Sequence, residues 1–507
     1  MLSSSSVSAA SVGASRDDVN IAAALAAGAL RRSWNERPAY FQDDRCWTHG
    51  DVHSLAARLS TVLLNRGVQP GSRVLVALPD RIELIVLFLA VGRLGATSFL
   101  VNPYLTEADH GELAERIRPR LVVSEEQLRE HFAEFAWACC DGLLTTAQHT
   151  EEASCIAVGS ETPLYVQYTS GTTGEPKGAV HRHTDIAAYH RAVGEDMLRL
   201  GPADVSLSIS KMFFAYGFGN TLVYPLCSGS SAVLIPQRSR PQVVEEMVER
   251  HAVTVLHGVP SAYANLVAET SAEAYRTVRV GVSAGESLSI PLGERAAWLL
   301  GAVVLNELGS TEVGGAFCAN TLASNEPGTV GRPLQGYRLR IRDEGGADLA
   351  DGVEGRLWVH GPTLLTEYLD RPEETARVFD DGWLSTNDTA IRRPDGWFVH
   401  TGRADDMEVV GGINISPHEV ESVLMEHSGV REVAVVAIHD ERGASKLRAF
   451  VVPAPSAAPE RLEDELITLA RQRLAPFKVP RSVHFVGALP RTFTGKLKRY
   501  RVRQGAW

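Results

Sequence analysis

A loop rich in glycine and hydroxyl side chains lies in the segment YTSGTTGEPKG, which runs from Tyr168 to Gly178. Its glycines lack a Cβ, so the backbone can turn tightly and approach a ligand closely. Threonine and serine supply hydroxyl donors, and lysine supplies a compact positive charge that phosphate oxygens can share. A solvated turn is the alternative interpretation of such a cluster. The residues that could contact a polyphosphate are Thr169, Ser170, Gly171, Thr172, Thr173, Gly174 and Lys177.

The flanks of this loop predict its place in the fold. PLYVQY before it has the apolar character of a buried strand, and VHRHTDIAAYHRAV after it is predicted to be a helix. A loop between a strand and a helix is a common place for phosphate binding. The spacing differs from that of a Walker loop, which has four residues between its glycines, because only two residues separate Gly171 from Gly174.

The pattern of apolar, polar and turn-forming residues changes twice along the chain. From about Gly71 to Leu308, short apolar runs alternate with helical patterns, as in RVLVAL, RIELIVLFLAVGRLG and TSFLV, which predicts a parallel sheet covered on both faces. From Gly328 to Gly402, short strands are separated by Gly, Pro and Asp turns, which suggests a small antiparallel or barrel-like module. The last hundred or so residues, after Arg403, mix helices and strands.

Composition excludes several classes of protein. The 507 residues exceed the usual size of one domain, and 44% hydrophobic with 22% charged residues is typical of a globular protein. A net charge of −11 argues against a nucleic-acid surface. Six cysteines without metal or disulfide spacing predict reduced thiols in a cytoplasmic protein. We expect residues 1–20 to form a disordered leader, and LIVLFLAVGRLGA to be a buried helix rather than a membrane span.

The phosphate loop and several later motifs resemble those of the adenylate-forming superfamily, which includes acyl- and aryl-CoA synthetases, luciferases and the adenylation domains of peptide synthetases. The matching motifs extend from Pro163 to Lys498. The resemblance implies an α/β fold, with a large N-terminal domain of two parallel-type α/β subdomains plus a small β-barrel-like module, and a small α+β C-terminal domain. We expect these domains to span residues 21–403 and 404–507.

The resemblance also implies roles for individual residues. Glu312, which ends NELGSTE, would hold Mg²⁺, since a carboxylate is a hard oxygen ligand. Lys496 would stabilise negative charge during adenylation, with Thr169 and Lys177 assisting. Asp405 would be the hinge of the mobile domain. ATP binding is expected from Thr169, Ser170, Gly171, Thr172, Thr173, Gly174, Lys177, Gly285, Glu286, Asn306, Glu307, Leu308, Gly309, Ser310, Thr311, Asp388, Arg403 and Lys496.

The segment KMFFAYGFGN is most similar to the benzoate–CoA ligase branch of that family. Its aromatic residues could equally be core packing at a helix start. The resemblance assigns Phe214, Gly411 and Gly412 to CoA. Relatives carry bulkier side chains where this chain has two glycines after Val313, so we expect a roomier pocket for the acid. The residues expected to line it are Phe214, Ala215, Tyr216, Gly309, Gly314 and Gly315.

The expected function is therefore an ATP- and Mg²⁺-dependent acid–CoA ligase for an aryl or bulky cyclic carboxylic acid. It would first form the acyl-adenylate and then transfer the acyl group to the CoA thiol. One alternative acceptor is the phosphopantetheine of a carrier protein, and another alternative is a regulatory protein that binds nucleotide without turnover. We expect a monomer or a homodimer with no nucleic-acid partner and no membrane span.

Overall fold

The structure is a computed structural model that describes residues 20–169, 176–403, 408–410, 413–439, 445–455, 457, 459–491 and 497–505. The predicted positions Ser170, Gly171, Thr172, Thr173, Gly174, Asp405, Gly411, Gly412 and Lys496 lie outside these residues.

The elements of the described part of the chain are numbered in chain order. The strands are β1 (Pro38–Gln42), β2 (Arg45–Thr48), β3 (Arg73–Ala77), β4 (Thr97–Leu100), β5 (Leu121–Ser124), β6 (Trp137–Cys139), β7 (Pro163–Thr169), β8 (Lys177–Arg182), β9 (Val205–Ser208), β10 (Ser231–Val233), β11 (Val255–Gly258), β12 (Val280–Ser283), β13 (Val303–Ser310), β14 (Gly315–Ala319), β15 (Arg332–Pro333), β16 (Arg338–Arg342), β17 (Glu354–His360), β18 (Phe379–Asp380), β19 (Trp383–Arg392), β20 (Phe398–Arg403), β21 (Glu408–Val410), β22 (Ile413–Ile415), β23 (Val430–His439), β24 (Ser445–Pro453) and β25 (Ser482–Phe485).

The α-helices are α1 (Ile21–Arg31), α2 (His49–Asn65), α3 (Ile82–Arg93), α4 (Glu107–Ile117), α5 (Cys140–Ala147), α6 (Asp185–Tyr189), α7 (Ala215–Phe218), α8 (Tyr224–Ser228), α9 (Pro241–His251), α10 (Pro260–Glu269), α11 (Ile290–Leu300), α12 (Pro372–Val378), α13 (Pro417–Leu424), α14 (Pro459–Arg473) and α15 (Arg499–Gln504). Short π-helical segments at His190–Met197 and Gly219–Val223 extend α6 and join α7 to α8.

Two mainly parallel sheets form the large part of the molecule, as the strand–helix alternation predicts. The six-stranded sheet has the order β6-β5-β3-β4-β7-β8, and the nine-stranded sheet has the order β15-β14-β13-β12-β11-β9-β10-β1-β2. Helix α3 is buried from Ile82 to Gly92 because it packs within the core. None of the helices in the described residues is both long and apolar enough to span a membrane.

Two smaller units follow in the chain. Strands β16, β17, β18, β19 and β20 form an antiparallel sheet, which confirms the module predicted from the turn-rich segment. Beyond it, β23, β24 and β25 form a three-stranded sheet with α13 and α14 packed around a core of their own. The predicted α/β architecture with a small α+β C-terminal unit is confirmed.

The predicted start of one helix is wrong. The chain after the phosphate loop continues as strand β8 and becomes helical only at Asp185. Strand β8 pairs antiparallel with β7, so Gln167 lies opposite Ala179. On its other side, Ala179 forms a bridge with Tyr368. These two lateral partners decide the extended conformation of a segment whose own residues also suit a helix.

Candidate active site

A single cavity of about 1050 Å³ collects most of the predicted residues. It lies where the ends of β7, β12 and β13 meet β19 and the C-terminal unit. This volume can hold a nucleotide and a small acid together. Its predicted lining residues are Thr169, Lys177, Phe214, Ala215, Tyr216, Gly285, Glu286, Asn306, Glu307, Leu308, Gly309, Ser310, Thr311, Glu312, Gly315, Asp388 and Arg403.

In one part of the cavity, a lysine and a glutamate lie beside the same tyrosine. Thr169 and Lys177 lie opposite each other across β7 and β8, at the two ends of the phosphate loop. The Lys177 ammonium forms a salt bridge with Glu374 and lies 5.4 Å from the centre of the Tyr368 ring. The Tyr368 hydroxyl donates a hydrogen bond of 2.9 Å to Glu312 Oε1. Burial, and then the Glu312 charge, raise the pKa of Tyr368, so this hydroxyl keeps its proton.

The Glu312 carboxylate is suited to a divalent cation. Its Oε1 atom accepts the hydrogen bond from the Tyr368 hydroxyl. Magnesium is commonly held by one or two carboxylates together with phosphate oxygens, so one carboxylate beside a phosphate loop fits it. The one group of three potential ligands found in the described residues, Cys139, Cys140 and Asp141, lies elsewhere. There Asp141 already pairs with Arg81 at 2.6 Å.

Asp388 is a buried carboxylate at the wall formed by the antiparallel sheet. It lies on β19, opposite Arg403 of β20, and the Arg403 guanidinium is 3.9 Å from its Oδ1. His400 Nε2 lies 3.3 Å from the same oxygen. Burial by itself would raise the pKa of Asp388, but the His400 hydrogen bond and the nearby positive charges outweigh it and lower that pKa. Asp388 is therefore an ionised acceptor inside the cavity.

A second part of the cavity wall, the aromatic end, is formed by aromatic side chains. Phe214, Ala215 and Tyr216 line it at the start of α7, and Tyr224 of α8 joins them. The Tyr216 hydroxyl donates to the carbonyl of Val282 at 2.8 Å, which fixes the ring. The aromatic segment therefore does not serve core packing alone, because the same side chains face the cavity.

The two glycines expected to enlarge the acid pocket behave differently. A Cβ at Gly315 would lie 3.8 Å from Tyr189 and 3.9 Å from the Tyr224 hydroxyl, so a methyl group would fit there in ordinary van der Waals contact. A Cβ at Gly314 would lie 1.4 Å from the Tyr189 hydroxyl, and this glycine has a φ of +76°. Gly314 is not among the residues lining the cavity. The expectation of free volume there is wrong, because Tyr189 fills it.

Gly309 also has a packing reason to be glycine. A Cβ at this position would lie 2.6 Å from the carbonyl oxygen of Gly315, where β13 and β14 pair around an irregularity in their register. The strand β13 extends through Ser310, so most of the NELGSTE motif lies in the strand.

The C-terminal unit closes the cavity. The Arg491 guanidinium donates a hydrogen bond of 3.0 Å to Glu286 Oε1 and one of 2.6 Å to Glu432 Oε2. One side chain therefore joins the two units. Glu286 also accepts from the backbone and hydroxyl of Ser261. Arg491 and Leu497, on either side of the segment that contains Lys496, both line the cavity.

Sequence reasoning missed the residues that position this machinery. His400 and Arg491 lie within a few residues of the predicted Arg403 and Lys496, whereas the others come from segments that no predicted motif covers. The missed residues are Tyr189, Tyr224, Tyr368, Glu374, His400 and Arg491.

Comparison with known proteins agrees with this geometry. Residues 29–369 match the model of the AMP-binding enzyme family, and residues 419–496 match that of the AMP-binding enzyme C-terminal domain. The chain is 41% identical to the p-hydroxybenzoic acid–AMP ligase FadD22 of Mycobacterium marinum, covering 96% of this chain and 69% of that protein. It is 35% identical to the benzoate–CoA ligase of Thauera aromatica, covering 92% of each.

Among solved structures, a benzoate CoA ligase from Burkholderia xenovorans LB400 superimposes with a TM-score of 0.89 at 33% identity, covering 96% of this chain and 99% of that one. The chain therefore belongs to the family of AMP-binding, adenylate-forming enzymes, near the benzoate–CoA ligase branch, and is an AMP-forming acid–thiol ligase.

Proposed function

We propose that this protein activates an aryl carboxylic acid with ATP to the aryl-adenylate and transfers the aryl group to the thiol of CoA. The observation that carries the proposal is the cavity itself, which is lined both by phosphate- and ribose-directed groups and by aromatic side chains. The relatives named for benzoate and p-hydroxybenzoic acid support the acid class.

In the first step, a carboxylate oxygen of the acid forms a bond to the α-phosphorus as the bond to pyrophosphate breaks, and pyrophosphate leaves with the electron pair. Lys177, beside the loop, leaves its salt bridge with Glu374 and binds the departing phosphates instead. Asp388 accepts hydrogen bonds from the two ribose hydroxyls. Its lowered pKa favours this role because the carboxylate remains ionised. Lys496 stabilises the charge that develops at the α-phosphate.

Magnesium at Glu312 would neutralise phosphate charge in this step. The contribution of the chain is to hold the carboxylate: the hydrogen bond from Tyr368 fixes Oε1, and the backbone N–H of Leu365 donates to the Glu312 carbonyl at 2.7 Å. Glu312 is therefore oriented from its side chain and from its backbone.

In the second step the CoA sulfur bonds to the acyl carbon and AMP leaves. We propose that residues 21–403 and 404–507 are the two moving bodies and that Asp405 is the hinge. The separate core of the C-terminal unit supports this division. The hydrogen bonds of Arg491 to Glu286 and Glu432 close the cavity, and they support a role for the C-terminal unit in the first step. We assign Phe214, Gly411 and Gly412 to the CoA side.

A carrier-protein thiol is the second candidate acceptor. It is favoured by the relative from Mycobacterium marinum, which is named as an AMP ligase and extends beyond the matched region. The first half-reaction is the same for both acceptors, so the distinction lies only in the second.

The test measures pyrophosphate release with ATP, Mg²⁺ and a panel of benzoates, with and without CoA. The proposal expects an initial burst near one equivalent per enzyme without CoA, and continuous turnover with aryl-CoA as product when CoA is added. A burst that CoA does not extend, together with loading of a phosphopantetheinylated carrier, would select the second acceptor. No burst with any aryl acid contradicts the activity.

Matched variants assign the two carboxylates. Glu312→Gln keeps the shape of the side chain but removes the charge, so we expect loss of the burst that added Mg²⁺ does not restore. Asp388→Asn should raise KM for ATP more than it lowers kcat, because ribose binding precedes the chemistry. Equal effects of both variants on kcat alone would contradict the separate roles.

A further inference from the structure

Glu307 is a buried carboxyl group on β13 that the proposed mechanism does not use. It is 7% exposed and lines the cavity. Its neighbours on the strand, Asn306 and Leu308, line the cavity as well. Asn306 is anchored there, donating to the carbonyl of Thr329 at 3.0 Å.

The surroundings of Glu307 belong to the aromatic end of the cavity. Burial, and then the charge of Glu307, raise the pKa of Tyr216 and of Tyr224. Both rings line the cavity, and Gly315 next to Tyr224 leaves space beside them. Glu307 therefore lies on the side where the acid is expected, although the sequence motif suggested an ATP contact.

The carboxyl group has an unmet hydrogen-bonding capacity. Its Oε2 atom is buried and has no partner among the described residues. Folded proteins leave few buried polar atoms unpaired, since each costs the desolvation of the group without compensation. Burial also raises the pKa of Glu307 to about 8, because desolvation disfavours the charged form of the carboxyl group. A ligand that donates to Oε2 would remove this cost.

We propose that Glu307 determines the specificity for the acid by accepting a hydrogen bond from a hydroxyl or amino group on its ring. This inference rests on the proposed function, because it takes the aromatic end as the acid site. The substrate class is then a hydroxy- or amino-substituted aryl acid rather than an unsubstituted or alkylated one. The adenine amino group is the other donor that could reach this carboxylate, and the test separates the two.

The experiment compares isosteric pairs of acids on the wild-type enzyme, measuring kcat/KM by pyrophosphate release. Hydroxy- and aminobenzoates substituted at position 2, 3 or 4 are each paired with the corresponding methylbenzoate, which has similar size and no donor. We expect a preference of about tenfold to a hundredfold for the donor at one ring position. Ratios near one at all three positions overturn the proposal without any variant.

Two variants locate the preference at Glu307. Glu307→Leu should reverse it, because an apolar side chain accommodates methyl better than hydroxyl, whereas Glu307→Gln should retain part of it through the amide oxygen. The matched control is Glu286→Gln, a cavity carboxylate already paired with Arg491 and Ser261, which should leave the hydroxyl-to-methyl ratio unchanged.

Four results would overturn the proposal. A ratio that survives Glu307→Leu assigns the preference elsewhere. A rise in KM for ATP with an unchanged ratio assigns Glu307 to adenine. If no aryl acid supports pyrophosphate release by the wild-type enzyme, the proposed function fails and this inference fails with it. If aryl acids are turned over without a preference for the donor, only this inference fails.

Discussion

Replacing Glu307 by glutamine should stabilise the folded protein, and the gain should grow as the pH rises. The substitution keeps the size and shape of the side chain and removes one ionisable group. In the folded wild type the pKa of Glu307 lies near 8, against a usual value of 4.5, because the carboxyl group is buried. The unfolded chain therefore releases this proton at a lower pH than the folded chain does.

The sign of the effect follows from proton counting. Between pH 4.5 and 8 the folded state binds one proton more than the unfolded state at this position, so the free energy of unfolding of the wild type falls as the pH rises. The gap between the two values corresponds to about 5 kcal/mol, which is an upper limit because relaxation and water entry reduce the cost of a buried charge. The neighbouring Tyr216 and Tyr224 remain neutral over this range because burial raises their pKa.

The assay is urea unfolding of wild type and Glu307→Gln from pH 5 to pH 9 at constant ionic strength, following intrinsic fluorescence. Taking the difference between the two proteins cancels the titration of every other group. We expect the two midpoints to be closest at pH 5 and the variant to gain steadily up to about pH 8. Glu286→Gln, which removes a carboxylate paired with Arg491, should show no such gain.

A difference that stays constant from pH 5 to pH 9 would mean that Glu307 ionises normally in the folded protein. If the variant instead lost stability relative to the wild type as the pH rises, the charge of Glu307 in the wild type would have a cationic partner. Either result refutes the description of Glu307 as an uncompensated buried acid, and with it the physical basis for recognition of a donor on the substrate.

Lys496→Ala should slow aryl-adenylate formation by about a hundredfold or more while sparing thioester formation from supplied aryl-adenylate, measured as separate single-turnover rates; equal losses in both would contradict a first-step role. Asp405→Pro should preserve adenylate formation and block transfer to CoA, because proline fixes φ, and full overall turnover would exclude the hinge. Arg491→Gln should slow the first half-reaction more than the second, since it releases the C-terminal unit from Glu286, and an unchanged first rate would remove that contact from the mechanism. Gly315→Ile should lower kcat/KM for ring-substituted acids and spare benzoate, because the new side chain enters space beside the aromatic end; a loss shared by all acids would show general disruption.

Much of the fold and the rough composition of the site could be predicted from the sequence. The apolar runs predict strands because parallel strands are buried on both faces, and α3 is buried along its whole length as its composition indicates. The motifs at 306–312 and around Asp388 were expected to share a site, and they line the same cavity. Apolar pattern suffices for these strands and for α3 because it reports burial, whereas the shared site of the two motifs was implied by the resemblance to the family.

Other features depend on partners distant in sequence. The helix predicted from Val180 begins only at Asp185, and the end of β8 is extended because it pairs with β7 on one side and with Tyr368 on the other. The space expected at Gly314 is filled by Tyr189, a side chain from a different helix.

The sequence by itself determined which residue types could do the chemistry and in which order they follow the strands. Only the tertiary structure decided what each faces: that Glu312 is held by Tyr368, and that Glu307, near Tyr216 and Tyr224, has no partner for its Oε2 in the part of the chain that the structure describes. The physical reason is that burial and hydrogen bonding are properties of the packed environment, to which segments remote in the chain contribute, whereas a motif reports only its own composition and spacing.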